Sequence, residues 1–384
     1  MAVEAAMPGA GAGWRDWPLR LRDRLLGDPQ FRRLAAKFPL TRPIARRRTR
    51  ALFDLCAGFV YSQVLLACVR SRLFDALRDG PQTLEALSRH CALPGEGMLR
   101  LLRAAIALKL VARRRGERFG LGSLGAAMVR NPGVAAMVEH HALLYADLQD
   151  PLALLRGETA QASALSRFWG YSRAADPGDL SSERVAAYSA LMGESQALVA
   201  AEVLDAYPLT RHRHLLDIGG GDGSFIVAAV ARATGLHFTL FDLPAVAEQA
   251  GKRFAAVGIA DRTITVGGDF HRDPLPTGAD LITLVRVVHD HDDPAALSLL
   301  RAVHDALPSG GQLLLAEPMA DTPGATAMGD AYFGFYLLAL GQGRPRSRAE
   351  LSEMLRQAGF TAIRHVASAT PLLVGLLIAE RERC

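Results

Sequence analysis

The sequence predicts an α/β fold: a doubly wound, mostly parallel sheet in the C-terminal half, behind a helical block that ends in a small β wing. Three observations predict it. From His214 onward, strand-length apolar runs alternate with helix-length ones: Leu215–Ile218, Phe238–Phe241, Thr263–Val266, Leu281–Val285 and Gln312–Ala316, then a final pair near His365–Ala367 and Leu373–Ala379. Such alternation is the mark of crossover units. The first run flows without a break into Gly219, Gly220, Gly221 and Gly223 and then into apolar Phe225–Val230, giving strand, tight loop and helix in succession. Upstream, two helix-like stretches precede Arg113–Leu121, a hairpin tip, so helix, helix and wing follow one another as in winged-helix units.

With 384 residues, 50% of them hydrophobic, the chain has room for two domains with sizeable cores. The formal net charge of +5 is modest and gathers near the N-terminus, so charge alone does not imply nucleic acid. Cys56, Cys68, Cys91 and Cys384 form no C-x-x-C pair and sit in no His-rich cluster. That argues against a disulfide framework or structural zinc and suits a reducing cytosol. No apolar stretch precedes a small-residue cleavage site, and charges are expected to break every apolar run short of the roughly 20 residues that span a bilayer. The expectation is a cytoplasmic protein that neither spans the membrane nor is secreted, with contact at the membrane face left open.

Composition divides the chain at 1–50, 51–136, 137–201 and 202–384. After an Ala/Gly-rich start, Trp14, Trp17, Leu21, Leu25, Leu26, Phe31, Leu34 and Phe38 recur at helical spacing among arginines that culminate in Arg46-Arg47-Arg48-Thr49-Arg50. A basic amphipathic helix of this kind fits either anionic headgroups or a partner subunit. In the second segment Phe53–Leu77 reads as one apolar helix, Gly80-Pro81 breaks it, Thr83 caps a short helix and Met98–Leu110 forms another. Arg100, Arg103 and Arg113–Arg115 give this unit a basic face that raises a DNA-binding reading. Residues 137–201 connect it to the sheet.

The glycines let the loop take positive φ and let a ligand approach the backbone. Their spacing, Gly219-x-Gly221-x-Gly223, departs from the dinucleotide fingerprint, and Asp222 within the loop disfavours a pyrophosphate. A ligand carrying a cation and an adenosine fits better. Asp242 ends the next strand, about 20 residues on, where an acid can hold a ribose diol. Asp269 and Phe270 follow at the third strand's turn, and after the fourth strand comes Arg286-Val287-Val288-His289-Asp290-His291-Asp292-Asp293-Pro294. Ligands gather at the C-terminal edge of such sheets, which brings His289 to the site. Glu317 ends the fifth strand. The His/Asp run could also suggest a metal, but adjacent residues at one strand end rarely converge on one ion, so none is expected.

This order of motifs resembles the class I S-adenosylmethionine-dependent methyltransferases and, from about Ala51 to the C-terminus, the plant-type O-methyltransferase family. The resemblance implies S-adenosylmethionine as cofactor, with Asp217, Gly219 and Gly221 at its methionine part, Asp242 and Leu243 at the ribose, Asp269 and Phe270 at the adenine, and Arg286 and Ser195 beside it. It implies His289 as the base that takes the acceptor hydroxyl's proton and Glu317 as the group that orients His289. Met192, in the helix opening at Tyr188, and Phe335 are implied at the acceptor. The N-terminal unit then serves dimerisation, giving a homodimer with no nucleic-acid partner. Methyl transfer from a sulfonium needs an oxygen nucleophile, and an imidazole with a pKa near 7 can accept its proton while staying largely neutral.

Two departures stand out. Pro345, within Gly341–Ser347, occupies the place of a second family glutamate, and His291 that of a tryptophan, which puts an ordinary phenol acceptor in doubt. Arg46–Arg48, Phe53–Gln63, Gln149–Leu152 and Phe168–Tyr171 resemble the carotenoid O-methyltransferases of purple photosynthetic bacteria, those acting on hydroxyneurosporene or demethylspheroidene. That narrower resemblance implies methylation of a tertiary hydroxyl on an apolar, membrane-resident carotenoid, with Phe333, Phe335, Tyr336, Leu337 and Leu338 as apolar lining. A phenol or polyketide acceptor shares every cofactor motif. A non-catalytic winged-helix regulator is the remaining reading, and the intact His289 and Glu317 argue against it.

Overall fold

The computed structural model describes residues 16–158, 163–168, 196–371 and 373–383. Its N-terminal arm is not one helix. Asp28 accepts from the N–H groups of Gln30 and Phe31 at 2.7 and 3.4 Å and Pro29 follows it, so a new helix starts there and the arm divides into α1 (Trp17–Gly27) and α2 (Pro29–Lys37). Neither buries a residue. The arginines 46–50 belong to the first turns of α3 (Arg42–Arg70), so the composition changes at residue 50 while the helix continues.

The expected single helix from Phe53 to Leu77 is interrupted. Arg72 takes a left-handed φ of 57°, which ends α3 and sets α4 (Leu73–Leu77) at a new angle. Next come α5 (Leu84–His90), where Thr83 Oγ1 accepts from the Ala86 N–H, and α6 (Gly95–Ala107). The wing pairs β1 (Val111–Arg114) antiparallel to β2 (Arg118–Leu121). Its tip turns through positive φ at Gly116 and Glu117. Leu73, Leu87, Met98, Leu102 and Phe119 close a core under this unit. The connecting helices α7 (Ser123–Met128), α8 (Pro132–Asp147), α9 (Pro151–Arg156) and α10 (Ala164–Phe168) lead toward the sheet.

Helix α3 corrects the expectation that charge breaks every apolar run. Between Ala51 and Val69 the only charged residue is Asp54, and among the described residues this is the one helix long and apolar enough to cross a membrane by length and composition. One side packs against α6 and α8. The other leaves Leu52, Phe53, Leu55, Phe59 and Val60 exposed, Leu55 by 80%. It is thus a helix of a packed unit with one uncovered apolar ridge.

In the second half the strands are β3 (His214–Ile218), β4 (His237–Asp242), β5 (Thr263–Gly267), β6 (Leu281–Val285), β7 (Gln312–Glu317), β8 (Thr361–Val366) and β9 (Gly375–Glu380). They form one seven-stranded sheet in the order β5-β4-β3-β6-β7-β9-β8. The first five are parallel, and β9 runs antiparallel between β7 and β8. The last two strands lie offset from the expected positions near 365–367 and 373–379, because β8 opens four residues earlier at Thr361 and has an irregular register next to it. Every residue of β6 is buried, as a central parallel strand covered on both faces requires. One face is covered by α11 (Ser224–Val230), α12 (Pro244–Ala256) and helical residues 196–206, through Phe225, Phe254 and Val203. The other is covered by α13 (Asp293–Ala306) and α15 (Arg348–Gln357), through Leu299, Leu300 and Leu355. Between β3 and β6 the strand order reverses, and that switch point opens the crevice where a ligand can lie.

Leu102 is fully buried at the centre of the helical unit. Leu102→Ala should lower unfolding stability by about 2–5 kcal/mol. A chemical-denaturation midpoint equal to that of the parent would contradict this packing.

Candidate functional site

The glycine loop leaves β3 at the switch point. Gly219 sits at φ +67°, and a Cβ there would meet Val287 Cγ2 at 2.9 Å, so both the conformation and the close approach to the β6 exit require glycine. Gly221 donates its N–H to Asp242 Oδ2 at 2.8 Å, and the Leu243 N–H donates to Asp242 Oδ1 at 2.7 Å. The acid ending β4 is thereby fixed against the loop while keeping acceptor capacity on both oxygens. Burial raises its pKa to about 6.

Asp217, on β3, is 1% exposed. Its Oδ1 accepts from Thr283 Oγ1 at 2.6 Å, and its Oδ2 is buried with no partner. Burial raises its pKa to about 7. A buried open acceptor beside a glycine loop fits a ligand that carries positive charge or donors, and that is what the cofactor implied by the sequence offers. Asp222, by contrast, is taken up within the loop. It pairs with Arg253 and accepts from the Ser224 N–H and Oγ at 3.1 and 2.6 Å. The inference drawn from Asp222 against a pyrophosphate therefore loses its force, and Asp217 supplies the acid instead.

Asp269 stands in a self-closing turn: its N–H donates to Asp273 Oδ2 at 2.8 Å and its Oδ1 accepts from the His271 N–H at 2.9 Å. Phe270 lies edge-on to His271 and His291, with ring centroids 4.5 and 5.3 Å away. His291 thus joins an aromatic cluster at this edge. Burial, His271 and His289 lower its pKa to about 4, so it is neutral near pH 7.

The reactive side of the site is built on the exit of β6. Arg286 takes φ 59° and donates its N–H to Ala316 O at 2.8 Å, turning the chain into the short 3-10 turn Val288–Asp290. His289 is 6% exposed and Glu317 2%. The His289 Nδ1–H donates to Glu317 Oε2 at 2.6 Å, while Glu317 Oε1 accepts from the N–H groups of Val287 and Val288 at 3.0 and 2.7 Å. On the other side of the ring, His289 Nε2 lies 3.2 Å from Asp290 Oδ1. Burial opposes the charged imidazole, but Asp290 and Glu317 outweigh burial and Arg286, and the pKa of His289 is raised.

Phe333, the last residue of a π-helical turn spanning Ala327–Phe333, packs edge-on against His289 at 5.9 Å. The ring on the base is thus that of Phe333, while Phe335 lies half-buried on α14 (Gly334–Leu340), and Leu337 is buried in the cluster that joins α14 to α8, α9 and α10. Tyr332 and Tyr336 hydrogen-bond to His141 and His140 of α8 at 2.7 and 2.8 Å, which ties the helical half to this wall. Burial lowers the pKa of both histidines, that of His140 to about 4.

The structure brings Asp217, Gly219, Gly221, Asp242, Leu243, Asp269, Phe270, Arg286, His289 and Glu317 to the same edge of the sheet. Met192, Ser195 and Trp169–Tyr171 lie outside the described residues. Sequence reasoning missed Thr283, whose one signal is a hydroxyl in the otherwise apolar strand 281–285, and it missed Arg253 and Arg346, which read as loop or surface charges. Among the described residues, no group of three His, Cys, Asp or Glu converges to hold a metal ion.

Comparison with known proteins gives an O-methyltransferase domain over residues 145–361 and an O-methyltransferase dimerisation domain over residues 53–131. A demethylspheroidene O-methyltransferase of Cereibacter sphaeroides is 45% identical over 363 residues, covering 94% of this chain and 95% of that protein. Its namesake in Rhodobacter capsulatus is 40% identical over 90% of this chain and 85% of that protein. Among solved structures, human N-acetylserotonin methyltransferase in complex with SAM (S-adenosylmethionine) superposes with a TM-score of 0.72 at 24% identity, over 87% of this chain and 98% of that one, a likeness of fold.

Gly219→Ala forces a side chain into the left-handed region, at about 1–2 kcal/mol. It also presses on Val287, so S-adenosylhomocysteine affinity measured by calorimetry should fall. An unchanged affinity would remove the loop from the ligand site.

Proposed function

The chain belongs to the O-methyltransferase family, and on that premise we propose that it moves a methyl group from S-adenosylmethionine to the tertiary hydroxyl of an acyclic carotenoid of the demethylspheroidene or hydroxyneurosporene type. The observation that carries the catalytic part is the buried Glu317–His289 pair beside the glycine loop. The acceptor class is supported by likeness to the two demethylspheroidene O-methyltransferases over most of the chain.

When bound, the cofactor supplies a methyl group activated on a sulfonium. Asp217, Gly219 and Gly221 would hold its methionine part, Asp242 and Leu243 its ribose, and Asp269 and Phe270 its adenine, with Arg286 alongside. Glu317 accepts the Nδ1 proton of His289 and so fixes the tautomer, leaving Nε2 to take the acceptor's proton. Once Nε2 is protonated the imidazolium lies between two carboxylates, Asp290 beside Nε2 and Glu317 at Nδ1, and both stabilise it. A tertiary alcohol is far less acidic than a phenol, so His289 removes its proton as the methyl moves rather than in advance. Phe333 covers one edge of the base and helps to keep water from it.

The uncovered ridge of α3, at Leu52, Phe53, Leu55, Phe59 and Val60, is the surface a second copy would cover in a homodimer, and it lies where the dimerisation-domain match begins. The arm supports contact with the cytoplasmic face of a membrane: α1 and α2 leave Trp17, Leu19, Leu21, Leu25 and Leu34 exposed among arginines, as an interfacial segment needs. A carotenoid acceptor residing in that membrane would then be reached from its surface.

Methyl transfer from labelled S-adenosylmethionine, offered hydroxylated acyclic carotenoid in liposomes beside soluble phenols, should place the label in the carotenoid. Label confined to phenols would overturn the acceptor assignment and leave the base in place. His289→Ala should abolish turnover while S-adenosylhomocysteine still binds; near-normal turnover would remove His289 as base. Because the base acts when neutral and its pKa is raised, kcat/KM should rise with pH through an acid limb above the ordinary imidazole value of about 6.5. A limb below that value would contradict the double-carboxylate environment.

A further inference from the structure

Arg346 is the largest fully buried side chain of the molecule's described part, 2% exposed, and it is a cation. A buried guanidinium needs acceptors for its whole fork. Arg346 finds them around His289. Its Nη1–H donates to Val288 O at 2.9 Å, its Nη2–H to His291 O at 2.7 Å, and Nη2 and Nε both donate to Asp293 Oδ1, at 2.7 and 3.0 Å. Two of the three acceptors are carbonyls flanking the base, one residue before it and two after. The same segment touches the base's own carbonyl, since the Arg344 N–H donates to His289 O at 3.0 Å. A Cβ on Gly343, at φ +74°, would stand 2.2 Å from that oxygen, so the approach is closer than any other residue allows. Arg344 secures the far side by pairing with Asp293 and with Glu350.

We propose that Arg346 is a positioning residue for methyl transfer: its planar fork fixes the 3-10 turn that carries His289, and so sets the ring between Glu317 and Asp290. This rests on the reading of His289 as the base. Generic folding does not explain the arrangement, because a buried arginine whose one anionic partner is half-exposed is a poor source of stability. What the fork does supply is geometry: two carbonyls on one turn and a carboxylate at the start of α13 are held in a single plane, which a lysine's point charge cannot reproduce. The groups facing His289 are Glu317 from β7, Asp290 and His291 from its own turn, and Arg286 from the β6 exit. A small shift of the turn would change the ring's distance to Glu317, which stands on a separate strand.

The test uses full-length Arg346→Met, Arg346→Lys and Asp293→Asn proteins. Three readouts are taken: kcat and KM with the acceptor the parent methylates, S-adenosylhomocysteine affinity by calorimetry, and the titration of His289 by NMR with ring-labelled histidine, assigned by its loss in His289→Ala. For Arg346→Met, kcat should fall about a hundredfold, the size expected for a misplaced base. Cofactor affinity and acceptor KM should stay near the parent values, and the His289 titration should move down toward the ordinary imidazole range. Arg346→Lys should recover only part of kcat.

Parent-like kcat and an unmoved titration in Arg346→Met would overturn the proposal, as would a lowered melting temperature with unchanged turnover per folded molecule. If Arg346→Met does not fold, Arg346→Lys and Asp293→Asn carry the same readouts, and parent-like values in both overturn it. If the parent methylates no acceptor, the base reading fails. The NMR titration would still report whether Arg346 governs the surroundings of His289.

Discussion

The carboxylate of Glu317 is the constraint around which the reactive edge is organised. A carboxylate taken fully out of water loses several kcal/mol of solvation unless its oxygens are matched by donors. Glu317 has three: the N–H groups of Val287 and Val288 on one oxygen and the Nδ1–H of His289 on the other. Those backbone donors are free because they open a short 3-10 turn, whose first N–H groups have no partner within it. The turn in turn exists because Arg286 leaves β6 in the left-handed region. Parallel pairing of Val285 with Ala316 then brings the next residue of β7, Glu317, opposite the turn. Register, left-handed exit and the Glu317–His289 hydrogen bond therefore support one another.

Charge is distributed with the same economy of position. Between residues 17 and 50 there are eleven Lys or Arg against two Asp, although the whole chain carries only +5, so the remainder is net negative. Such asymmetry orients a protein toward an anionic surface over distances of about a Debye length. Helix α3 carries the last arginines of the arm and the first residues of the dimerisation match on one continuous rod. In a homodimer the two arms would be joined through α3, and the proposed interfacial contacts, so linked, would act as one stronger contact.

Much of the fold was legible because it rests on local signals. Apolar runs of strand length, the glycine turn and the acids at strand ends located β3 to β7 to within a residue or so, and with them Asp217, Asp242, His289 and Glu317. What could not be read depends on partners distant in sequence. Asp222 reads as an open negative charge within the glycine loop, whereas Arg253, 31 residues away, pairs with it. Arg346 meets Val288 across 58 residues, and nothing in Arg344-Pro345-Arg346 separates a buried fork from a solvated loop charge. The break at Arg72 was hidden because arginine carries no local signal for a left-handed conformation, and the start of α3 at Arg42 was hidden because its first turns carry the arm's arginines.

The departures at Pro345 and His291 bear on the acceptor through electrostatics. A proline at 345 offers no carboxylate, so the acids that act on the base are Asp290 and Glu317, and the segment around Pro345 contributes arginines turned toward backbone and Asp293. His291 keeps an aromatic face at the Phe270 edge while remaining neutral, so it adds no positive charge to discourage protonation of His289. The result is an imidazole more basic than usual. General-base catalysis is most effective when the base's affinity for the proton keeps pace with the reluctance of the acid to release it. An aliphatic tertiary alcohol releases its proton less readily than a phenol does, so it gains more from a stronger base. The raised pKa of His289 suits proton removal from a weakly acidic hydroxyl, and the choice of acceptor rests on the likeness to relatives.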